Sequence, residues 1–425
     1  METYALALTY AIPVFLFLIA VEALISERMG IKINRGADMI ASLSSGITNV
    51  VKDVLGLTIV IISYAWLVER VAIFEIRNTW YVYIIAFMAK DFASYWIHRL
   101  EHTINFAWNR HIIHHSSEEF NLSCALRQSI TEVFSYLSIF LLPAALLGVP
   151  ADVIAVVAPI HLFIQFWYHT RLIKRMGWLE YIIVTPSHHR VHHAINPEYI
   201  DKNYGQVFII WDKLFGTFQP ELEAVPAVYG VKRPVSSWNP FVISLRHVGL
   251  LMRDAWHTSG FFNKLKVWFM PTGWRPADVA PRMPVNMIEN VYDFEKYDTN
   301  LSKPLLTWSW IQMSGMLALL MYFFTQFGEI GFPGVLLYGL FVFAGVFSMT
   351  ALMDKAGYTW LSEVIRLMII LIILYSGGGD WFGLKAILPG AYYLLLAYLI
   401  TTFIVNFYFQ YVETGFKRLK FKISV

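Results

Sequence analysis

The spacing of the histidines constrains this chain more than any other feature, because it dictates which side chains must meet in the folded protein. Nine of the 13 histidines fall in three short groups and a tenth lies between the second and third: His98 and His102; His111, His114 and His115; His169; and His188, His189, His192 and His193. Helical residues three and four positions apart share one face of the helix. Each group therefore directs two or three imidazoles the same way.

This set of imidazoles predicts a site for two metal ions. Each buried polar atom without a partner would cost about 1 to 3 kcal/mol, and metal binding removes that cost. A closed structural zinc site needs only four ligands, so the chain supplies more nitrogens than one ion can take. A metal site that has only histidine ligands, with no cysteine and few nearby carboxylates, suits zinc, copper, nickel or iron. The surplus of imidazoles among membrane segments favours redox-active iron.

The composition is that of a membrane protein. Hydrophobic residues make up 57% of the 425 residues and charged residues only 15%, which is typical of an all-α polytopic membrane protein rather than of two or three soluble domains. The net charge of +3 gives no reason to expect a nucleic-acid partner. The single cysteine, Cys124, excludes an internal disulfide.

About nine apolar segments are expected to enter or cross the membrane. They cover roughly residues 4–24, 40–67, 79–97, 132–147, 151–167, 304–327, 332–353, 361–374 and 387–409. The basic tail is expected in the cytosol by the positive-inside rule; it carries Lys417, Arg418, Lys420 and Lys422. Counting segments back from this tail places the histidine groups at the cytosolic side of the membrane. The membrane would be the endoplasmic reticulum in a eukaryote and the inner membrane in a bacterium.

Two parts of the chain are expected. Residues 1–303 would form a membrane and cytosolic-cap domain that carries the histidine groups, and residues 304–425 would form a C-terminal bundle of transmembrane helices. The short connection 148–150 predicts a membrane hairpin between the fourth and fifth segments. The loops that carry the earlier and later histidines would then emerge on the same side.

Local signals around the histidines predict two helix starts and one buried carboxylate. Thr185 followed by Pro186 is typical of a capped helix start, and Ser116 with Glu119 fits a capping box. Asp91 lies seven residues before His98, on nearly the same helical face. A carboxylate is costly in lipid, so Asp91 either accepts the outer N–H of a ligand histidine or pairs with Lys90 or a neighbouring helix.

Several stretches around the histidines resemble those of a known family. They read HHSSEEFNLS at 114–123, QFWYHT at 165–170, TPSHHRVHH at 185–193, IDKNY at 200–204 and IWDK at 210–213. With the HxxxH, HxxHH and HxxHH boxes in this order, the chain resembles the fatty acid hydroxylase and sterol desaturase superfamily of membrane di-iron enzymes. Within it, the similarity is closest to the alkylglycerol (glyceryl-ether) monooxygenase family. The similarity is strong over about residues 80–220. The C-terminal part is similar only in that it also consists of apolar helices.

The resemblance implies an O2-dependent lipid monooxygenase with two iron ions, which zinc can replace in purified samples. Its substrate would be a membrane ether lipid such as an alkylglycerol, and tetrahydrobiopterin or an electron-donor protein would supply electrons. Hydroxylation of the alkyl carbon next to the ether oxygen would release fatty aldehyde and glycerol. The metal ligands implied are His98, His102, His111, His114, His115, His169, His189, His192 and His193, with His188 either a tenth ligand or a donor to one.

One departure from the superfamily pattern lies at Gln165, where some members have a histidine. One metal would then have an open or amide-occupied position, so Gln165 joins Asp91 as a candidate catalytic residue. Two other functions remain open on the sequence. One is a sterol or fatty-acyl hydroxylase or desaturase fed by a cytochrome-type donor. The other is a membrane metal or proton transporter, which would place ionisable groups near the membrane midplane.

Overall fold

A computed structural model describes residues 2–77 and 79–414 of the chain, and this part is mostly helical. The basic tail with Lys417, Arg418, Lys420 and Lys422, on which the predicted orientation depends, lies outside the described residues. One small parallel sheet pairs β1, Ile59–Val60, with β2, Phe134–Ser135. Three short 3-10 turns cover Leu122–Leu126, Gly177–Tyr181 and Val291–Asp293, and a π turn covers Gln410–Thr414.

The α-helices follow one another along most of the described chain. In order, they are α1 Glu2–Arg28, α2 Gly36–Val54, α3 Tyr64–Val71, α4 Trp80–Thr103, α5 Asn105–His115, α6 Leu137–Phe140, α7 Leu142–Leu146, α8 Ala151–Ile164, α9 Pro186–His192, α10 Ile210–Leu214, α11 Pro240–His257, α12 Phe261–Phe269, α13 Lys303–Thr325, α14 Phe327–Ile330, α15 Gly334–Met353, α16 Thr359–Ser376, α17 Leu384–Ile387 and α18 Pro389–Phe409.

Five of the described helices are long and apolar enough to cross a membrane: α1, α13, α15, α16 and α18. A membrane-spanning helix needs about 20 predominantly apolar residues. The first segment and the four C-terminal segments expected from the sequence therefore all form helices of suitable length. The count of nine is larger than the number of full-length spanning helices in the described residues.

The segment expected at 40–67 differs because it is not one helix. Helix α2 ends at Val54, the chain turns at Gly56, where φ is +67°, and α3 begins only at Tyr64. Polar side chains on α2 are buried against protein rather than exposed to lipid, and Lys52 donates to the carbonyl oxygen of Glu132 at 3.0 Å. An apolar run with such residues marks an interior helix of the protein.

The hairpin expected over 132–167 has only one substantial helix. Its second arm is α8, with 14 residues, whereas the first arm is broken into β2 and the short helices α6 and α7. Leu141 separates the two short helices, and Pro143 lies in the first turn of α7. Proline is tolerated there, but it has no N–H for an uninterrupted helix. Hydropathy alone does not reveal this break.

Two breaks in the chain bring the histidine-bearing helices together. Ile104 adopts an extended conformation between α4 and α5, so that α5 turns back along α4. Helix α9 begins at Pro186 after an extended Thr185, which confirms the predicted helix start. The second predicted start, at Ser116, is wrong because α5 ends at His115 and residues 116–120 are not helical. Glu119 instead accepts a hydrogen bond from Lys296 at 2.7 Å.

The largest hydrophobic core joins the two ends of the chain. It contains Ile40 and Val51 from α2 together with Met313 from α13, Phe341 from α15 and Leu399 from α18. A smaller core packs Val82 and Ala86 of α4 against the later apolar residues of α7 and α8. The histidine-bearing ends of α4 and α5 extend beyond this smaller core toward residues 186–257.

Candidate metal centre

Nine buried or half-buried histidines converge in two adjacent groups. In each group the candidate ligand atoms lie within 4.8 Å of one another. The first histidine group comprises His98, His102, His111, His115 and His192; the second histidine group comprises His114, His169, His189 and His193. The predicted convergence of distant imidazoles is therefore present, in two sets that match the expected pair of ions.

Helices α5 and α9 each contribute to both histidine groups. On α5, His111 and His115 belong to the first group, whereas His114 belongs to the second. At the end of α9, His192 belongs to the first group, and the next residue, His193, belongs to the second. The rings of His115 and His193 stack with their centroids 4.3 Å apart, which places the two groups side by side.

Backbone carbonyls determine the tautomer of four of these histidines. The Nδ1 atoms of these rings lie close to carbonyl oxygens: His98 to Tyr204 at 2.8 Å, His114 to Arg127 at 3.2 Å, His169 to Gln165 at 3.0 Å and His192 to Lys202 at 3.0 Å. A carbonyl oxygen can only accept a hydrogen bond. Nδ1 therefore carries the proton in the neutral ring, and Nε2 presents its lone pair to the interior of the group.

The Nε2 lone pairs face one another at short range. The Nε2 atoms of His114 and His169 are 3.3 Å apart, and both are acceptors once their Nδ1 atoms donate. In the first group, Nε2 of His98 lies 2.9 Å from Nε2 of His111, and Nε2 of His102 has no hydrogen-bond partner within the described chain. Two facing acceptors repel, whereas a cation between them would be stabilised by both.

The imidazoles are held in the neutral form that binds metal. Burial, with a smaller effect of nearby His98, lowers the pKa of His114 to about 3. Burial also lowers the pKa of His193 well below its ordinary value. A neutral imidazole is the ligating form. The donor set thus fits two divalent transition-metal ions with nitrogen ligands, such as iron or zinc.

The carboxylate of Glu101 lies beside the first histidine group. Its Oε2 lies 3.6 Å from Nδ1 of His111, and its Oε1 lies 3.4 Å from the guanidinium of Arg110. Burial raises the pKa of Glu101 to about 7, although Arg110 opposes the shift. At 3.6 Å this carboxyl is at ion-pair rather than hydrogen-bond distance from the outer nitrogen of His111, beside a ligand candidate as the sequence suggested for Asp91.

Asp91 lies behind the site rather than against a member of either histidine group. Its buried carboxylate accepts from Nε2 of His161 at 2.7 Å, from the backbone N–H of Val207 at 2.9 Å and of Phe208 at 3.1 Å, and from the Trp211 indole at 2.8 Å. These partners, among the described residues, tie α4 to α8 and to the loop before α10. That loop follows Tyr204, whose carbonyl orients His98.

Gln165 and His188 contribute to the site indirectly. Gln165 does so through its backbone carbonyl, and His188 does so at the start of α9. The carbonyl of Gln165 accepts from His169, whereas its side-chain amide lies 3.0 Å from Nδ1 of His161. His188 lies outside both histidine groups, and its Nδ1 accepts the backbone N–H of Thr185 at 3.4 Å. His247 and His257 also lie outside the groups.

Sequence reasoning missed the side-chain carboxylate of Glu101 beside His111 and several residues that contribute backbone atoms. Arg127, Lys202 and Tyr204 orient ligand candidates through their carbonyls, so that their side chains give no signal. One local clue exists at Asn203, which adopts φ of +55° between two of these carbonyls. Asparagine is enriched in this conformation.

A cavity of about 260 Å³ borders the first histidine group. His102, His115 and His192 form one wall, with His193 of the second group beside them. The remaining walls are aromatic or aliphatic, with a few charged and polar side chains from residues 201–275; the apolar walls include Trp108, Ile112, Ile195, Val231 and Leu250. The arrangement allows an organic molecule to approach the metal-binding nitrogens.

Comparison with known proteins places the site within a protein family. The Fatty acid hydroxylase family model matches residues 83–217, which span both histidine groups. Alkylglycerol monooxygenase of Homo sapiens is 35% identical over 372 residues, covering 86% of this chain and 82% of that protein. The enzyme of the same name from Danio rerio is 39% identical over 278 residues, covering 64% and 60% of the two chains.

A further relative matches a shorter part of the chain. An ornithine lipid hydroxylase of Rhizobium tropici is 30% identical over 135 residues, covering 32% of this chain and 41% of that protein. No solved structure matches the chain significantly. The long matches, the family model and the paired histidine groups agree with one another: the chain belongs to the alkylglycerol monooxygenase family.

Proposed function

We propose that this chain is a di-iron monooxygenase that hydroxylates the alkyl carbon next to the ether oxygen of alkylglycerols. The facing Nε2 lone pairs of the two histidine groups carry this proposal, since they call for two cations in one place. When bound, two iron ions would supply an oxidant for an unactivated C–H bond, which zinc, with no accessible redox change, does not. The names of the relatives from Homo sapiens and Danio rerio support the ether-lipid substrate.

The reaction balances with one O2 and a two-electron donor. One oxygen atom enters the C–H bond, and the other leaves as water with two electrons and two protons from the donor, for which we propose tetrahydrobiopterin. The product is a hemiacetal, which breaks into a fatty aldehyde and glycerol. The protein binds and orients the lipid and excludes water.

We propose the nine members of the two histidine groups as the metal ligands. His188 instead secures the start of α9, Gln165 orients His169 through its carbonyl, and Asp91 positions the surrounding segments. This assignment treats Asp91 and Gln165 as positioning residues. The side-chain amide of Gln165 is directed at His161, which leaves the second group with four imidazoles.

The direct test measures metal and product in the same preparation. The purified protein with iron, O2, reduced pterin and 1-O-hexadecylglycerol should release hexadecanal and contain close to two metal ions per chain. His114→Gln should lose the aldehyde and retain less metal, whereas the control His257→Gln, at an exposed position outside both groups, should keep both. A full metal complement in His114→Gln would contradict the ligand assignment. Aldehyde formation that is independent of pterin would contradict the proposed electron donor and leave the rest of the proposed function standing.

The family model and the Rhizobium relative favour a second candidate, a lipid hydroxylase that acts on an acyl chain and receives electrons from a cytochrome-type protein. The two candidates differ in product. An acyl hydroxylase would yield a stable hydroxy lipid and no aldehyde from the ether substrate. Mass analysis of the extracted lipids distinguishes them in one incubation.

We also propose that the histidine groups lie at the cytosolic boundary of the endoplasmic reticulum or a bacterial inner membrane. Nine segments would then enter the bilayer, and residue 303 would end the catalytic part of the chain. The basic residues at and just after the end of α1, Arg28, Lys32 and Arg35, support this orientation. Cys124 is buried, so a cysteine introduced at exposed Glu223 can be labelled selectively. Labelling from the cytosolic side alone is expected. Labelling from the opposite side would contradict the proposed orientation and support the reverse one.

A further inference from the structure

The cavity beside the first histidine group has an excess of positive charge. Its ionisable walls include three cations, Lys232, Arg233 and Arg275, against one carboxylate, Asp201. Arg275 is balanced by Asp254, which accepts from its Nε at 2.6 Å and from its Nη2 at 2.9 Å. Arg233 has no carboxylate at ion-pair distance among the described residues.

Arg233, which lines this cavity, has a donor without a partner in the described part of the chain. Its Nη2 donates to the carbonyl of Arg246 at 3.2 Å, while its Nη1 is buried and has no hydrogen-bond partner within residues 2–77 and 79–414. Burial, followed by the guanidinium groups of Arg246, Arg253 and Arg275, lowers the pKa of Arg233 to about 10. An anion would relieve both the repulsion and the missing hydrogen bond.

Thr272, which lines the same cavity, also has an unpartnered donor. The buried Oγ1 of Thr272 has no hydrogen-bond partner in the described part of the chain. Lys232 is exposed and lines the cavity next to Arg233 in the sequence. A planar guanidinium binds phosphate or carboxylate through two parallel hydrogen bonds, and a hydroxyl can add a third.

We propose that this cavity binds the anionic headgroup of the lipid substrate, a phosphate or a carboxylate, through Arg233, with Thr272 and Lys232 as further donors. The inference rests on the proposed function and deepens it, because it extends the substrate class from neutral alkylglycerols to ether lipids whose glycerol carries an anionic group. The reacting alkyl carbon would lie toward the histidine wall, and the anion toward Arg233.

The volume of the cavity fits a headgroup rather than a whole lipid. Pockets that enclose drug-sized ligands measure about 300–1,000 Å³, and this cavity measures about 260 Å³. Its apolar walls, such as Trp108 and Leu250, suit the first carbons of an alkyl chain. The rest of that chain would lie outside the cavity.

The test measures binding without turnover, with the full-length metal-loaded protein kept free of O2 and reductant. The ligands are 1-O-hexadecylglycerol 3-phosphate, neutral 1-O-hexadecylglycerol and inorganic phosphate. Arg233→Gln should weaken binding of the phosphate lipid by about tenfold to a hundredfold, the range for hydrogen bonds to charged groups. Its effect on the neutral lipid should be less than about twofold. Arg233→Lys should restore part of the loss, and the exposed control Arg282→Gln should change neither affinity.

The outcomes separate this inference from the proposed function. Equal weakening of both lipids by Arg233→Gln, or tighter binding of the neutral lipid by the unmodified protein, would overturn it. Inorganic phosphate that binds as tightly as the phosphate lipid would also overturn it, since the site would then serve a free anion. If Arg233→Gln fails to fold, Thr272→Val decides, and selective weakening of the phosphate lipid is expected. A protein that binds the phosphate lipid selectively yet releases no aldehyde would refute the proposed function alone.

Discussion

Arg127 combines a buried ion pair with the orientation of a candidate ligand. Its guanidinium donates to Asp38 at 2.7 Å and to Ser116 at 2.8 Å, and both charged residues are only 2% exposed. Its carbonyl accepts from Nδ1 of His114. The side chain of one residue therefore fixes the loop, while its backbone fixes the ring.

Asp38→Asn is expected to destabilise the protein by about 3 kcal/mol or more, because removing one partner of a buried pair leaves the other charge uncompensated. Thermal unfolding in detergent measures the loss, and metal analysis should show a weaker second histidine group. The control is Asp298→Asn, which removes a half-exposed partner of Arg35 and should cost less than about 1 kcal/mol. Equal effects of the two substitutions would refute the role of burial.

The metal-free protein is expected to lose stability on acidification below about pH 6.5. The folded pKa of His114 is about 3, against an ordinary value of 6.5, so between these values the unfolded chain binds more protons. Stability therefore rises with pH across this window and is fully present above it, with a slope on the order of 1 kcal/mol per pH unit for each such histidine. Unfolding temperatures between pH 7.5 and 5.5 measure this. His114→Gln should show a shallower slope, and a flat profile in the unsubstituted protein would contradict the prediction.

At the scale of elements, α9 is short but carries members of both histidine groups. Thr185 and His188 form a capping box at its start, with the N–H of Thr185 donating to His188. A helix of seven residues depends strongly on such contacts, because nucleation is costly.

Thr185→Ala should cost about 1 kcal/mol, the typical loss on removal of a capping side chain. It should also reduce metal retention in both histidine groups, since α9 contributes to each. Thr185→Ser, which keeps the hydroxyl, is the matched control and should behave like the unsubstituted protein. Loss of metal from only one group, resolved by iron spectroscopy, would contradict the shared role of α9.

Elements with strong local signals were predictable, and those shaped by neighbours were not. The start of α9 and the helices α13, α15, α16 and α18 follow from proline placement and from long apolar runs. The break within 132–147 depends on packing against β1 and α3, which no local pattern encodes. For the site, spacing predicted that the imidazoles converge. It did not predict that α5 and α9 each divide their histidines between two groups, nor which carbonyls fix the rings.

At the scale of the whole molecule, the main core includes residues from both sides of position 303. Met39 and Ile47 of α2 lie in one hydrophobic cluster with Val342 and Met349 of α15. Buried apolar area contributes about 25 cal/mol per Å², so neither side retains this contribution alone. The division at residue 303 stays a prediction about function rather than about independent folding.

Residues 1–303 expressed alone are therefore expected to aggregate or to bind little metal. Co-expression of 1–303 with 304–425 as separate chains should restore metal binding, because the core can form between them. Metal content after purification measures both cases. A stable fragment 1–303 with two ions per chain would show that the shared core is dispensable.

The division of α5 and α9 between the two histidine groups couples their occupancy. An ion that fixes His115 and His192 also orders the neighbouring rings of His114 and His193, so a first ion lowers the entropic cost of binding a second. Uptake should therefore be cooperative, with a Hill coefficient above 1. Native mass spectrometry at half saturation should find mainly chains with two ions or with none, and few singly loaded molecules. Inactive, half-loaded enzyme would then be scarce even when the supply of metal is low.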